Sequence, residues 1–208
     1  VGKTLFVKEY ATSLYGSDNF IRIDMSEYKE EYSISKLLGS APGYVGYRED
    51  NTVMEKIRNH PNCVILLDEI EKASPAVIKV FLQALDEGVV HDAVGRSISF
   101  KNAIIFMTSN LGCNNLSIGF MDDNSLNQSL KDFLSVEFLN RIDKVFTFKK
   151  LDEVVVKKII NKKLNMLKKQ YYDKDINVVF SKKIVDNILV NSNYLEYGAR
   201  KIDKIIEE

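Results

Sequence analysis

Hydrophobic and polar residues in the first two thirds of the chain alternate in a way that is typical of strands and helices following one another. Apolar residues recur at helical spacing over residues 5–15, and residues 76–86 form an amphipathic repeat. Residues 63–67 and 103–108 are continuous apolar runs with the length of buried strands. With a shorter run at residues 20–23, they predict a doubly wound α/β fold whose parallel sheet is covered by helices on both faces.

Three further segments complete the first part of the chain. Residues 52–59 have a helical pattern, and residues 88–100 alternate on both sides of Gly95, as the strands of a β-hairpin do. Residues 112–127 are polar and rich in Asn, Ser and Asp, which predicts a loop.

The pattern becomes mostly helical after about residue 149. The predicted elements are a long Lys-rich helix, a short strand and two further helices, at residues 151–172, 176–180, 181–191 and 198–206. We therefore predict a large α/β domain at residues 1–148 and a smaller, mostly helical domain at residues 149–208.

Composition narrows the classes of function. The 208 residues include 29 Lys and Arg against 29 Asp and Glu, so the formal net charge is zero. Proteins that bind nucleic acid by neutralising phosphates usually have a basic surplus, and we expect no nucleic-acid partner. No apolar run approaches the roughly 18 residues of a membrane span, so we expect no membrane insertion. Two cysteines are too few for a disulfide scaffold and indicate a reducing compartment.

Gly2, Lys3 and Thr4 stand directly before the first predicted helix. They form the second half of a phosphate-binding loop, in which backbone N–H groups at a helix N-terminus surround phosphate oxygens. Lys3 would reach the β and γ phosphates, and the Thr4 hydroxyl would bind Mg²⁺. The first half of such a loop and its preceding strand are not in the sequence, so we expect a fragment that is poorly stable and inactive alone.

A pair of carboxylates, Asp68 and Glu69, follows the apolar run at residues 63–67. Open α/β sheets bind their ligands at the carboxyl edge of the strands, which is where this pair would lie. Asp68 can bind Mg²⁺ there, directly or through water. Glu69 can polarise the water that attacks a γ-phosphate.

Six motifs in consistent order resemble those of the Clp ATPases, specifically the second AAA+ module of the two-ring Clp unfoldases. They are IDMSEY (residues 23–28), GYVGY (43–47), LDEIEKA (67–73), TSN (108–110), FLNRID (138–143) and YGAR (197–200). The resemblance covers nearly all of the chain. It implies an AAA+ P-loop NTPase domain followed by a helical lid domain, with ATP bound between the two.

The resemblance assigns roles to three more polar residues. Asn110 corresponds to the first sensor, which hydrogen-bonds the attacking water or the γ-phosphate, and an amide suits this role because it both donates and accepts. Arg141 resembles the arginine finger that enters the ATP site of the neighbouring subunit. Arg200 resembles the second sensor, which contacts the phosphates of its own subunit. A turn-forming Asn and two surface Arg residues are the alternatives.

Further nucleotide contacts and partners are implied in the same way. The implied nucleotide-binding residues are Val1, Gly2, Lys3, Thr4, Leu5, Asp68, Ile159 and Ala199. The implied cofactors are ATP and Mg²⁺, and a finger that acts between subunits implies a homo-hexameric ring. The implied compartment is the cytoplasm, or the stroma or matrix of an organelle of bacterial ancestry.

Tyr44 and Val45 lie in a short stretch that contains Pro42, Gly43 and Gly46, which predicts a loop. In the Clp family this loop lines the central pore of the ring and grips extended polypeptide. An aromatic side chain with few rotatable bonds gives such contact at low entropic cost. The resemblance therefore implies unfolded polypeptides as substrates, and the alternative is a Tyr44 that packs against its own domain.

Ile118, Gly119 and Phe120 place two apolar side chains around a flexible glycine within the polar segment 112–127. Exposed apolar groups of this kind suit a pocket on a partner. Peptidase-coupled Clp unfoldases have a similar tripeptide, which docks on a barrel-shaped serine peptidase. We therefore expect a module of the ClpC/ClpA type more than of the ClpB type, and a loop anchored on its own module is the alternative.

The main expectation is an ATP-driven unfoldase that threads polypeptide into a peptidase. The alternative is a disaggregase or protein-export chaperone of the same family without a peptidase. A nucleotide-gated scaffold that does not hydrolyse ATP is disfavoured because Lys3, Asp68, Glu69, Asn110 and Arg141 occur together. A clamp loader or another nucleic-acid machine is disfavoured by the GYVG loop and the neutral charge.

Overall fold

The structure, a computed structural model, describes residues 2–40, 52–111, 133–148, 151–194 and 199–207. Contacts divide the chain into two compact units, one from Lys3 to Val145 and another that includes Phe146–Glu208. Each unit has a buried hydrophobic core of its own.

Five strands are described in the larger unit: β1 (Phe20–Asp24), β2 (Val64–Asp68), β3 (Val89–His91), β4 (Ser97–Ser99) and β5 (Ile104–Met107). Three of them form a parallel sheet in the order β1–β2–β5. In this register Asp24 lies opposite Asp68, and Leu67 lies opposite Met107. The three strands therefore end at one common edge, as the α/β fold predicted from the sequence requires.

The described helices of this unit are α1 (Lys3–Tyr15), α2 (Ile34–Leu38), α3 (Val53–Asn59), α4 (Pro75–Glu87) and α5 (Val136–Leu139). Short 3₁₀ helices occur at Ser17–Asn19, Met25–Tyr28, Glu31–Ser33 and Ile70–Lys72. The predicted helices at residues 5–15, 52–59 and 76–86 are confirmed, with ends that differ by one or two residues.

Strand β2 is apolar throughout because it is covered on both faces. All five of its residues are buried. Val64 and Leu66 pack with α1, whereas Ile65 and Leu67 belong to the larger core that contains the buried residues of α3 and α4. Successive side chains of a strand point to opposite faces, so a continuous apolar run is what a central parallel strand needs.

Helix α4 has a well-defined beginning and end. Pro75 occupies its first turn, where the missing N–H would have no partner in any case. Gly88 ends the helix with φ of +68° and donates its N–H to the Ala84 carbonyl at 3.1 Å. A Cβ at Gly88 would lie 2.9 Å from Cγ of Lys101, so both the backbone angle and the space favour glycine there.

The predicted hairpin is confirmed, with β3 and β4 pairing in antiparallel fashion and Val90 opposite Ile98. Asp92 holds its turn, because Oδ1 accepts the N–H groups of Val94 at 3.0 Å and of Arg96 at 2.8 Å. Burial would raise the pKa of Asp92, but the hydrogen bonds and charge of Arg96, with the bond from Val94, hold that pKa below its usual 3.8.

The smaller unit is a cluster of three helices in the described range: α6 (Glu153–Tyr172), α7 (Lys182–Ser192) and α8 (Arg200–Glu207). Asp152 caps α6 by accepting the N–H of Val155 at 2.7 Å. The core contains Val156, Ile160 and Leu164 of α6, spaced at helical intervals, together with residues of α7 and α8. None of the described helices of the protein is long and apolar enough to cross a membrane.

The strand predicted at residues 176–180 is wrong, because these residues have no regular secondary structure. Phe180 packs against the helical core, whereas Val179 is 80% exposed. The apolar residues that favoured a strand are therefore explained by the packing of Phe180 onto helices, and they do not pair with another strand.

Candidate active site

The carboxyl edge of the parallel sheet gathers the polar residues of two sequence motifs, LDEIEKA and TSN. Asp68 ends β2, Glu69 follows it, and Thr108 to Asn110 follow β5. Thr108 joins the two strand ends, because its N–H donates to the Leu67 carbonyl and its own carbonyl accepts the Ile70 N–H, both at 2.9 Å. The residues predicted to do chemistry therefore share one small region of the sheet edge.

Lys3 and Thr4 bring the start of α1 to the same edge. Lys3 Nζ donates to the Ser109 carbonyl and, at 2.7 Å, to Oδ1 of Asn110. Thr4 Oγ1 donates to Oδ2 of Asp68 at 3.2 Å. The predicted meeting of the Gly2-Lys3-Thr4 segment with the acidic pair is thus present, although 64 residues separate Thr4 from Asp68.

Asp68 is held on both of its oxygens and only 7% of its surface is exposed. Thr108 Oγ1 donates to Oδ1, while Thr4 and Arg22 both donate to Oδ2. A buried carboxylate with this many donors keeps a fixed orientation, which is what a metal ligand needs.

Glu69 has a left-handed backbone, with φ of 58° and ψ of 56°. Its N–H donates to Thr108 Oγ1 at 3.1 Å, and its Oε1 accepts from Nδ2 of Asn110 at 3.3 Å. The Asn110 amide therefore contacts both the Glu69 carboxylate and the Lys3 ammonium, as an amide that can accept and donate allows.

Comparison with known proteins identifies the family. The family described as "AAA domain (Cdc48 subfamily)" matches residues 1–145, and the family described as "C-terminal, D2-small domain, of ClpB protein" matches residues 151–208. The chain belongs to the AAA ATPase family. Within that family it is a Clp-type second (D2) module.

Several relatives of this AAA module carry the name "Chaperone protein ClpB". The protein from Malacoplasma penetrans is 42% identical over the whole chain, and that from Mycoplasma pneumoniae is 40% identical. The chain spans 29% of the length of each of these two relatives. Among solved structures, the chain is similar to Hsp104 in a closed-state cryo-EM reconstruction with ATPγS and FITC casein. The two sequences are 33% identical and the TM-score is 0.86, and the match covers 99% of this chain and 37% of the Hsp104 chain.

These relatives correct one expectation from the sequence. The AAA module was expected to be closer to the ClpC/ClpA type, but its relatives are named ClpB. They give no support to a peptidase partner. The expectation of a ClpC/ClpA type with a peptidase partner depended on Ile118, Gly119 and Phe120. The residues gathered at the sheet edge suit phosphate chemistry and carry no information on the partner.

Two residues at the site of this AAA module were missed by sequence reasoning. Arg22 donates to Oδ2 of Asp68 through Nε at 3.0 Å and lies 2.7 Å from it through Nη2. Glu71 Oε1 accepts the N–H of Asn110 at 3.1 Å, and its Oε2 is buried without a hydrogen-bond partner in the described part of the chain. The signals were present: Arg22 interrupts the apolar β1, and Glu71 is a third carboxylate within the LDEIEKA motif.

Arg141 lies just after α5 and forms an ion pair with Asp86 on α4. Its side chain is 44% exposed. Within the described residues, the structure thus places the candidate finger on the surface of its own domain, apart from the Lys3–Asn110 and Thr4–Asp68 contacts. A residue that reaches a neighbouring subunit has to lie on the surface of its own.

The remaining predicted site residues are distributed as follows. Gly2 has φ of +88°, Leu5 is 59% exposed, and Ile159 and Ala199 pack against the helical core of the smaller unit. Val1, Tyr44, Val45, Ile118, Gly119, Phe120 and the side chain of Arg200 lie outside the described residues.

The donor set at the sheet edge fits a hard divalent cation such as Mg²⁺. Thr4 Oγ1 and Asp68 Oδ2 are hard oxygen donors 3.2 Å apart, and Mg²⁺ in nucleotide sites is typically bound by few protein oxygens plus phosphates. The described residues contain no cluster of His, Cys, Asp and Glu that could hold a metal by itself.

Cys63, the buried residue directly before β2, is outside this chemistry. Burial raises the pKa of its thiol to about 11, so it stays an unreactive core group.

Proposed function

We propose that the chain is the ATP-hydrolysing motor module of a chaperone that unfolds and disaggregates proteins without a peptidase. The observation that carries the ATPase part is the convergence of Lys3, Thr4, Asp68, Glu69 and Asn110 at one sheet edge. The chaperone part is supported by the relatives named ClpB and by the Hsp104 reconstruction that contains casein, a protein substrate.

In this proposal the start of α1 and Asp68 bind the nucleotide. The first N–H groups of α1 and Lys3 Nζ would bind phosphate oxygens, because an ammonium and unpaired N–H groups both attract negative charge. Thr4 Oγ1 and Asp68 Oδ2 would hold Mg²⁺, which when bound neutralises charge on the phosphates during transfer.

Asn110 would orient the attacking water, and the Glu69 carboxylate would accept its proton. The Glu69 carboxylate is less constrained than that of Asp68, since Asn110 is its one described side-chain partner, at 3.3 Å. Asn110 also contacts Lys3, so it is placed to link the water-activating carboxylate to the phosphate-binding lysine. Such an arrangement suits phosphoryl transfer, which depends on positioning and charge stabilisation.

The proposed assembly is a homo-hexameric ring in which Arg141 acts on the neighbouring subunit and Arg200 on its own. Tyr44 and Val45 would contact extended polypeptide in the pore. Since the relatives named above are bacterial proteins, a cytosolic location is the simplest proposal.

The test uses the full natural protein of which these residues are part, and it measures how much activity a heat-aggregated reporter enzyme recovers. We expect ATP-dependent recovery that is lost in Tyr44→Ala, with ATP hydrolysis retained. Tyr32→Ala is the matched control, because Tyr32 is 74% exposed elsewhere on the larger unit and its loss should change neither activity.

Two outcomes would contradict the proposal. Normal recovery by Tyr44→Ala would refute the pore contact. Failure of the unmodified protein to recover the reporter, with ATP-dependent degradation once a barrel-shaped serine peptidase is added, would refute the chaperone part and return the module to proteolysis.

A further inference from the structure

Oxygen Oδ2 of Asp68 is shared by two donors with different consequences. Thr4 Oγ1 donates to it at 3.2 Å, and Arg22 reaches it through Nε at 3.0 Å and Nη2 at 2.7 Å. Asp68 is nearly buried, whereas the Arg22 side chain is 49% exposed. Arg22 thus supplies the positive charge that balances this carboxylate.

The same oxygen is the one that Mg²⁺ would share with Thr4 in the proposed function. A divalent cation beside Thr4 and Asp68 would lie close to the Arg22 guanidinium, and like charges at that distance repel. The Arg22–Asp68 pair and the filled metal site therefore compete for one carboxylate oxygen.

Arg22 has a second carboxylate within reach. Its Nη2 lies 3.8 Å from Oδ2 of Asp24, two residues further along β1, and side chains two apart on a strand share a face. A cavity of about 400 Å³ adjoins both residues and is also lined by Glu27, Lys36 and Lys56. Because the Arg22 side chain is half exposed, it can turn toward Asp24 by rotation of its own bonds alone.

We propose that Arg22 is a positioning residue that pairs with Asp68 while the metal site is empty and transfers to Asp24 when Mg²⁺ and nucleotide bind. The inference rests on the proposed function, because it assumes that Thr4 and Asp68 hold Mg²⁺. Its consequence is that Arg22 and Asp24 together set the Mg²⁺ concentration at which the site fills.

The test measures binding of a fluorescent ADP analogue to the natural chain during a Mg²⁺ titration, which needs no hydrolysis. We expect Arg22→Met to lower the half-saturating Mg²⁺ concentration about tenfold, the lower end of the scale of a hydrogen bond to a charged group. Asp24→Asn should raise it, because Arg22 then stays on Asp68. Asn keeps the oxygen that accepts the Ser26 N–H, so the cap at the end of β1 survives.

The double variant separates this exchange from the plain effect of adding or removing charge. In the exchange, Asp24 acts only through Arg22, so Asp24→Asn should have little effect in the Arg22→Met background. Glu27→Gln is the matched control, since it removes the same charge from the same cavity and should shift the titration less than Asp24→Asn. Arg22→Lys should lie between Arg22→Met and the unmodified protein.

Additive effects of Arg22→Met and Asp24→Asn, or unchanged titrations in both, would overturn the inference and leave the proposed function standing. Absence of Mg²⁺-dependent binding in the unmodified protein would refute the proposed function and the inference with it. Melting in metal-free buffer checks folding: Arg22→Met should melt below the unmodified protein, because Asp68 loses its partner, and Arg22→Lys should recover part of the difference.

Discussion

Two adjacent carboxylates at the end of β2 have different surroundings and are therefore suited to different tasks. Asp68 accepts hydrogen bonds from Thr4, Arg22 and Thr108, which fix it. Glu69 is partly exposed and contacts the Asn110 amide. A fixed carboxylate suits binding, and a less constrained one suits proton transfer.

The variant Glu69→Gln tests this division. We expect nucleotide binding to be retained, because Gln keeps an oxygen for the Asn110 amide, and turnover to fall roughly 100- to 1000-fold, the scale of lost general-base catalysis. Phosphate release and binding of a fluorescent nucleotide measure the two quantities. Glu9→Gln, on an exposed position of α1, should change neither, and ordinary turnover in Glu69→Gln would show that Glu69 is not the base.

At the same scale, motifs predicted some of the site and missed the rest for a physical reason. Lys3, Thr4 and Asp68 occur in patterns whose chemistry is recognisable from spacing, whereas the role expected of Asn110 is implied by the resemblance to the Clp ATPases. Arg22 acts through register: its proximity to Asp68 follows from the pairing of β1 with β2, which a single sequence does not display. Glu71 accepts the backbone N–H of residue 110, which any residue except proline would offer there.

At the scale of elements, continuous apolar runs were the most reliable predictor of the strands of the parallel sheet. Strand β2 could be predicted because a strand covered on both faces must be apolar at every position. Its neighbour β5 is apolar too, but its four residues are half-buried and not fully buried as its sequence suggested. Residues 176–180 show the converse, because an isolated apolar segment carries no information on whether its side chains meet a sheet or a helix. Strand pairing depends on two segments, and the pattern of one segment does not show which other segment it pairs with.

The β3–β4 hairpin gives an element-scale expectation for pH. The pKa of Asp92 is held below its usual 3.8, so its contacts stabilise the fold above that pH and are lost as the pH falls through the lowered value. Asp92→Asn should reduce the free energy of unfolding by about 1 kcal/mol near neutral pH. The difference between variant and unmodified protein should shrink steadily once the pH falls below about 4.

Denaturant titrations at several pH values measure this difference. Ser97→Ala, on the exposed face of β4, is a suitable control because it leaves the Asp92 contacts in place. A difference between Asp92→Asn and the unmodified protein that persists unchanged at low pH would show that the contribution of Asp92 is not that of its charged form.

At the scale of the whole molecule, Arg141 is the residue whose proposed role needs a second subunit. It pairs with Asp86 on its own domain. An arginine finger stabilises charge on the transferred phosphoryl group and is worth about 10³- to 10⁵-fold in rate where it acts in trans. One Arg141→Ala subunit should therefore silence the site of its neighbour while its own site remains competent.

Mixing experiments measure this effect. When Arg141→Ala subunits, whose own Glu69 is intact, are mixed with Glu69→Gln subunits, which supply Arg141, action in trans should restore ATPase activity that neither variant has alone. Arg58→Ala, which removes a partly exposed Arg from α3, should keep full activity alone and should not restore activity to Arg141→Ala beyond its own share. Absence of restored activity in mixed rings of Arg141→Ala and Glu69→Gln would place the effect of Arg141 within its own subunit.

The left-handed backbone at Glu69 has a consequence for laboratory evolution. A non-glycine residue in that conformation costs about 1–3 kcal/mol, and Gly or Asn would adopt it more cheaply. Selection for heat resistance alone would therefore favour replacement of the side chain that we propose activates water, and the selected proteins would be more stable but unable to hydrolyse ATP. Libraries built on this module need a selection for turnover alongside the one for thermal tolerance.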